Sequence, residues 1–371
     1  MRTTAAVVPS KDAPFEMREL ELDDPGPDEV VVRMVASGVC HTDQVLREQL
    51  VPMPLPAVLG HEGAGVVEQV GPGVTSVEVG DHVVLSFNSC GHCAQCDAGA
   101  PGYCEEFAPR NIGGTRPDGS VAFHDGSDPV SSHFFGQSSF ATHSVVSVRS
   151  LVVVDRDLPL DLLGPLGCGI QTGAGAVLNS LDPEAGSTIA VFGAGAVGDA
   201  AILAAVVAGC STIIAVDTVA ERVAFARDEL GATHGVDASG EDPVARIMEI
   251  TGGRGVNYAL ETTGVGSVLR QAVDSLAVRG TAGLLGQAPI GTEVPLETAA
   301  SLLRGWTLTT IIEGDAVPRQ FIPLLVELWR AGRFPFDKLV RHYDFADIEQ
   351  AFTDSAAGRT IKPVLRFASN G

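Results

Sequence analysis

Two hydrophobic rhythms divide the chain. Up to about residue 169 the apolar positions come in short alternating runs such as EVVVRMVASG (29–38) and GVVEQV (65–70), set among Val, Gly and Pro. That pattern predicts a β-rich, partly open barrel with long loops. From about Ser180 the rhythm becomes strand–helix alternation. STIAVF (187–192) runs through a glycine-rich turn into a helix, STIIAVD (211–217) is a second strand, and AERVAFARDELGA (220–232) a second helix. NYALETTG, TAGLLGQ and TLTTII read as further buried strands. A βαβ series of this kind predicts a doubly wound parallel sheet with helices on both faces. After Trp306 one helix is expected, PRQFIPLLVELWRAG, then an extended piece, KPVLRF. The expected fold class is α/β in three stretches: a β-rich domain over 1–169, a dinucleotide-binding domain over 170–311, and a return segment over 312–371 that completes the first.

Charge narrows the partners. The 371 residues carry a formal net charge of −22, a field that repels nucleic acid and anionic membrane surfaces alike. No apolar run reaches the ~18–20 residues of a membrane span, and the start does not read as a signal peptide. The expectation is a cytoplasmic protein with a small-molecule substrate, no nucleic acid and no membrane.

That compartment bears on the cysteines. In SCGHCAQCDAGAPGYC four of the seven fall close together, Cys90, Cys93, Cys96 and Cys104. Cytoplasmic thiols stay reduced, so a metal site is favoured over disulfides. The spacing lets one short lobe wrap four thiolates around a tetrahedral Zn2+ at ~2.3 Å, a closed and therefore structural site. Four unligated buried thiols and an iron–sulfur cluster are the alternatives.

Gly193-Ala-Gly195-Ala-Val-Gly198 lies between a strand and a helix, the context that gives G-x-G-x-x-G its meaning as a dinucleotide fingerprint. Gly193 allows the turn, Gly195 lets backbone approach a pyrophosphate, and Gly198 permits close helix–strand packing. Asp217 ends the next strand, 24 residues after Gly193. A carboxylate there accepts ribose hydroxyls and repels a 2′-phosphate, which favours NAD over NADP. Arg222 fits equally well along the adenosine ribose or as a helix-surface charge.

GVCHTD (38–43), GHEGAGVVEQVGPGV (60–74), the four-cysteine set, GCGIQTGAGAVLN (167–179) and GAGAVG (193–198) occur in this order. Through them the chain resembles, from end to end, the zinc-dependent medium-chain alcohol dehydrogenases, and within that family the aryl-alcohol branch. The resemblance implies a GroES-like catalytic domain and a Rossmann domain, with two Zn2+ and one NAD per subunit. It makes Cys40, His61 and Cys168 ligands of a catalytic Zn2+ and puts Glu62 behind the metal. Asp43 becomes the partner of His61. Thr42 becomes the hydroxyl that hands on the alcohol proton, and His41 faces the cofactor pyrophosphate. Thr172 lies near the nicotinamide, Val197 behind its ring, and Lys362 at the pyrophosphate. Glu62 as a surface carboxylate and Asp43 as a turn former are the plainer readings. Cys210 matches no ligand position and reads as a buried apolar residue.

Many relatives carry a proton-relaying histidine where this chain has Val45. Protons are then expected to leave through Thr42, the nicotinamide ribose and water, or through His41, whose residue type changes charge near neutral pH. Phe87, Phe134 and Phe135 match pocket-lining positions and could stack on a planar ring, or be plain core. The expected reaction is reversible oxidation of primary aryl (benzylic) alcohols to aldehydes. Geraniol-type allylic alcohols and a thiol-adduct formaldehyde dehydrogenase are the alternatives, with an NADPH-dependent reductase and a non-catalytic relative behind them. A homo-oligomer, dimer or tetramer, is expected by analogy, with TLTTII as a candidate sheet edge.

Overall fold

The computed structural model describes residues 1–368. The described chain divides into two compact units: Met1–Cys168, Val317–Leu325 and residues 340–368 form the first, Gly169–Ala316 and Val326–Leu339 the second.

The first unit is built on two sheets. In one, the strand Arg2–Val8 lies between Glu16–Leu22 and the short strand Ala57–Val58, and the hairpin Phe123–Asp125 and Asp128–Val130 extends it. The other centres on Glu29–Gly38, paired antiparallel with Gly63–Val70, with His143–Ser147 and with the C-terminal strand Lys362–Arg366. EVVVRMVASG is nearly continuous apolar sequence because the strand is almost wholly buried. KPVLRF is in this way a strand of the first unit, as the extended reading requires. A short helix α1 (His41–Arg47) follows Glu29–Gly38 directly.

The second unit holds six parallel strands. In chain order they are β1 (Thr188–Phe192), β2 (Thr212–Asp217), β3 (His234–Asp237), β4 (Val256–Glu261), β5 (Leu276–Leu284) and β6 (Thr307–Thr310). Their spatial order is 3-2-1-4-5-6, the Rossmann order. Helix α2 (Ala196–Ala208) follows β1 and α3 (Ala220–Glu229) follows β2. Residues Gly198–Ala205 of α2 are all buried. Small side chains make this possible: a Cβ on Gly173, in the preceding helix Gly169–Gly175, would lie 1.9 Å from the carbonyl oxygen of Val197.

Two expectations are corrected. TLTTII is not a buried strand, because only Thr307–Thr310 pairs, at the edge of the sheet, and it is half-exposed. The segment 312–371 does not return as one piece. The helix Pro318–Arg330 is shared, its first turns held to the first unit by Arg319 Nη2 donating to the Val148 carbonyl (2.6 Å). Val326–Leu339 stays with the second unit, where Lys338 Nζ donates to Glu229 and Trp329 Nε1 donates to Asp337. No helix among the described residues is long and apolar enough to cross a membrane.

Candidate active site

Cys40 caps the N-terminus of α1 in extended conformation. Three residues on, the buried Asp43 turns back: Oδ2 accepts from the Cys40 N–H (3.0 Å), and Oδ1 accepts from the Gly60 N–H (3.1 Å) and from His61 Nδ1 (2.9 Å). A C-x-x-D sequence at a helix start thus ties the thiol-bearing turn to the His61 segment. With its Nδ1 hydrogen committed, the imidazole presents Nε2 as an acceptor. Nε2 is buried and has no hydrogen-bond partner among the described residues. It faces the sulfurs of Cys40 and Cys168, and with a Glu62 oxygen these ligand atoms lie within 4.8 Å of one another. An orphaned buried imidazole nitrogen beside two cysteine sulfurs that form no disulfide is a donor set that suits Zn2+. The Cys168 thiol donates to the Cys40 sulfur and holds the Cys40 thiol well below its ordinary pKa despite burial, which favours the ligating thiolate.

Behind this set lies a buried ion pair. Lys362 Nζ donates to Glu62 Oε1 (2.8 Å), Glu62 Oε2 (3.0 Å) and the Val39 carbonyl (3.1 Å). Burial opposes the ammonium charge, but the carboxylate of Glu62 outweighs it and the pKa of Lys362 is raised. Glu62 is accordingly no surface carboxylate. Lys362 spends all three donors here, so a pyrophosphate contact would have to be shared with them. The pair also explains Gly38, where a Cβ would lie 2.0 Å from Glu62 Oε2.

Gln137 went unread in the sequence, since no local pattern marks an isolated glutamine. It is fully buried. Its Nε2 donates to the carbonyls of His61 (2.9 Å) and Ser86 (3.1 Å), and its Oε1 accepts from the Gly63 N–H (3.0 Å). Ser86 Oγ in turn donates to the carbonyl of Gly167, next to Cys168 (2.6 Å). One amide and one hydroxyl therefore brace both the imidazole and the second thiol.

The three phenylalanines converge on the same imidazole to different degrees. Phe135 stacks on His61, with ring centroids 4.6 Å apart at 27°, and Phe134 meets it edge-on at 5.2 Å. Among the described residues Phe87 reaches the cluster through Phe107. Phe134 is fully buried core. His41 is exposed, Thr42 half-buried, and Val45 buried in the core.

The four-cysteine lobe is assembled locally. Sulfurs of Cys90, Cys93, Cys96 and Cys104 lie within 4.8 Å of one another. Backbone N–H groups of Cys93 and Cys90 point at the sulfurs of Cys90 (3.3 Å) and Cys104 (3.2 Å). Donors aimed at sulfur from the same short loop suit a thiolate metal cage. Backbone N–H groups, the Glu105 one foremost, bring the Cys93 thiol down to about 6, while burial pushes Cys104 up to about 12. Cys210 is half-buried rather than buried, its thiol raised to about 11 by desolvation.

In the second unit Gly193 has φ +100°, and a Cβ on Gly198 would stand 1.7 Å from the Gly193 carbonyl oxygen. A Cβ on Gly195 would meet nothing within 4 Å, so the open side of the turn and the free N–H groups of α2 are available to a pyrophosphate. Asp217 Oδ2 accepts from the Ala194 N–H (2.7 Å) and Oδ1 from the Val219 N–H (2.9 Å). The carboxylate at the end of β2 thus orients the glycine-rich turn and keeps lone pairs for ribose hydroxyls. Thr172 Oγ1 donates to Glu313 (3.3 Å), and Val197 is brought near Thr172 by the close approach at Gly173. These features fit a dinucleotide.

Comparison with known proteins follows the same division. A family model described as the alcohol dehydrogenase GroES-like domain matches residues 26–155, and one described as zinc-binding dehydrogenase matches 196–329. The chain is 46% identical to a geraniol dehydrogenase of Castellaniella defragrans, over 98% of this chain and 97% of that one. Among solved structures, a benzyl alcohol dehydrogenase from Acinetobacter calcoaceticus is 49% identical with a TM-score of 0.96, covering 99% of this chain and 100% of its own. An alcohol dehydrogenase zinc-binding domain protein from Burkholderia ambifaria is 51% identical with a TM-score of 0.97, covering 99% of both.

Proposed function

The chain belongs to the zinc-dependent medium-chain alcohol dehydrogenases, and from that premise we propose that it interconverts primary aryl (benzylic) alcohols and aldehydes with NAD as the hydride carrier. The observation that carries the substrate class is the Phe135 ring stacked on the imidazole of His61, an apolar aromatic wall at the reacting centre. Such a wall favours a planar ring beside the hydroxyl carbon and disfavours the charged adduct of a thiol-dependent formaldehyde dehydrogenase.

Cys40, His61 and Cys168 would hold the catalytic Zn2+, and Cys90, Cys93, Cys96 and Cys104 the structural one. Bound at the first set, the metal supplies a Lewis acid that lowers the pKa of an alcohol hydroxyl towards neutrality. NAD supplies the hydride acceptor. The chain's own work is positional. Asp43 fixes the His61 tautomer through Nδ1, and Gln137 holds the carbonyl of the same residue. Glu62 and Lys362 keep a neutral pair of charges behind the site. Thr42 Oγ1 takes the alcohol proton. Val45 cannot relay it, so the exposed ring of His41, next in sequence, passes it to solvent. Asp217 receives the adenosine ribose. Thr172, Val197 and the turn Gly193–Gly198 receive the remainder of the dinucleotide.

A second reading is an allylic, geraniol-type primary alcohol, favoured by the 46% identity to a geraniol dehydrogenase. Initial rates with zinc-loaded protein and NAD+ across benzyl alcohol, geraniol and ethanol test both. A kcat/KM for benzyl alcohol well above ethanol supports the aryl reading, geraniol well above benzyl alcohol supports the second, and ethanol equal to both overturns the two. We further propose a homo-oligomer paired at β6. The exposed Leu302 and Leu303, in the helix Thr298–Arg304 that leads into β6, support it, and sedimentation as a monomer would contradict it.

A further inference from the structure

Asp199 has no part in the proposed reaction, yet it interrupts the buried apolar run of α2. It follows Gly198 in the first turn of the helix and is fully buried. Among the described residues neither of its carboxylate oxygens has a hydrogen-bond partner. The Nε of Arg222, in the first turn of α3, is likewise buried and unpartnered, although the residue as a whole is half-exposed. Asp217 is differently placed, since both of its oxygens already accept backbone hydrogens from Ala194 and Val219. Arg222 and Asp217 are the charged groups whose fields reach Asp199 from the elements around it.

The carboxyl group is therefore held without donors next to the nucleotide turn, a costly arrangement for a charge. Burial pushes its pKa up to about 8, Arg222 pulls against that rise, and Asp217 adds to it. Asp217 and Arg222 act in opposite directions on a 2′-phosphate, one repelling it and the other offering a guanidinium. A third charge beside them decides the balance.

We infer that Asp199 is a second determinant of dinucleotide choice, a positioning residue that, once ionised, claims the charge of Arg222 and withholds it from a 2′-phosphate. The inference rests on the NAD reading given above. Protonated, Asp199 leaves Arg222 to offset Asp217, and a phosphorylated ribose is partly tolerated. Ionised, it leaves a net negative site, and discrimination against NADPH sharpens. At an effective dielectric of ~20, one unit charge ~12 Å from another changes affinity by roughly tenfold.

The test uses full-length zinc-loaded protein without alcohol and measures dissociation constants for NADH and NADPH by nicotinamide fluorescence, at about pH 7 and about pH 9.5. The 2′-phosphate is doubly charged across this range, since its second pKa is ~6. Taking the NADPH/NADH ratio cancels titrations that act on the shared part of the two molecules, His41 included. The wild-type ratio is expected to rise roughly tenfold between the two pH values and to stay flat in Asp199→Asn. In Arg222→Gln the rise should shrink, because no guanidinium is left to be withheld from the 2′-phosphate, and Arg222→Lys should restore it.

A wild type that prefers NADPH at both pH values would overturn the NAD reading itself. A wild type that prefers NADH by the same ratio at both, or an Asp199→Asn variant that keeps the rise, would overturn the inference and leave the NAD reading standing. If circular dichroism shows that Asp199→Asn does not fold, an undiminished rise in Arg222→Gln overturns it equally.

Discussion

The two proposed metal-ligand sets of this chain are opposites in construction. The lobe takes four cysteines from one loop, Cys90 to Cys104, and hydrogen-bonds its sulfurs with N–H groups of that same loop. The other set draws Cys40, His61 and Cys168 from three distant segments and depends on buried side chains from still others: Asp43, Gln137 and the Glu62–Lys362 pair. Closure and openness follow from this. Four sulfurs complete a tetrahedron, whereas two sulfurs and one imidazole leave a position for substrate. The lobe can hold structure without chemistry. The distributed set can do chemistry only while the fold holds it in register.

Removing one ligand from each set breaks the comparison most sharply. His61→Ala or Cys168→Ser is expected to lose at least roughly a thousandfold in kcat/KM, since the Lewis acid is worth several kcal/mol, while thermal stability falls little and one metal equivalent disappears. Cys96→Ser should do the reverse: initial kcat is largely retained, the half-life at elevated temperature drops, and the other equivalent goes. If both variants lose activity to the same degree before any unfolding, the division of labour is wrong.

Next in size is the brace on the imidazole. Asp43→Asn keeps the shape but forfeits the carboxylate that orients His61, and is expected to cost 10- to 100-fold in metal affinity or activity. Gln137→Leu strands the carbonyls of His61 and Ser86 and the N–H of Gly63, with an expected loss of roughly 1–3 kcal/mol in unfolding free energy. Denaturant titration of both variants, with and without added zinc, checks these values. A Gln137→Leu variant as stable as wild type would mean that the brace is idle.

The smallest effect is kinetic and concerns the order of metal loss. Under a chelator the three-ligand set should release its metal first, with activity, although it is the more deeply buried. The closed lobe should follow more slowly, together with the melting temperature. Simultaneous loss would blur the comparison, and lobe-first loss would reverse it.

How much of this could be read in advance follows the same contrast. The lobe was legible from spacing because its geometry is local, and Cys-x2-Cys-x2-Cys fixes which sulfurs can meet. The doubly wound parallel sheet was legible because strand, glycine turn, helix and Asp217 follow one another within one βαβ unit, whereas the strand order was not read in advance. Cys40, His61 and Cys168 are too far apart for spacing to join them, and only the family resemblance did so. Gln137, the Lys362 partnership with Glu62 and the stack of Phe135 on His61 carry no sequence signal at all, since each is a long-range contact. TLTTII misled for a related reason: β-branched residues suit an edge strand as well as a central one. Asp199 was passed over because one acid in an apolar helix reads as a surface position until the packing at Gly173 shows that the helix is enclosed.

The claim on which the account turns is that Cys40, His61 and Cys168 hold a metal distinct from that of the lobe. Elemental analysis of purified, active wild type beside His61→Ala tests it most directly. Two zinc equivalents per chain falling to one, with activity lost and the fold intact by circular dichroism, is the predicted result. Equal metal content in the two proteins, or active wild type without any, would contradict it.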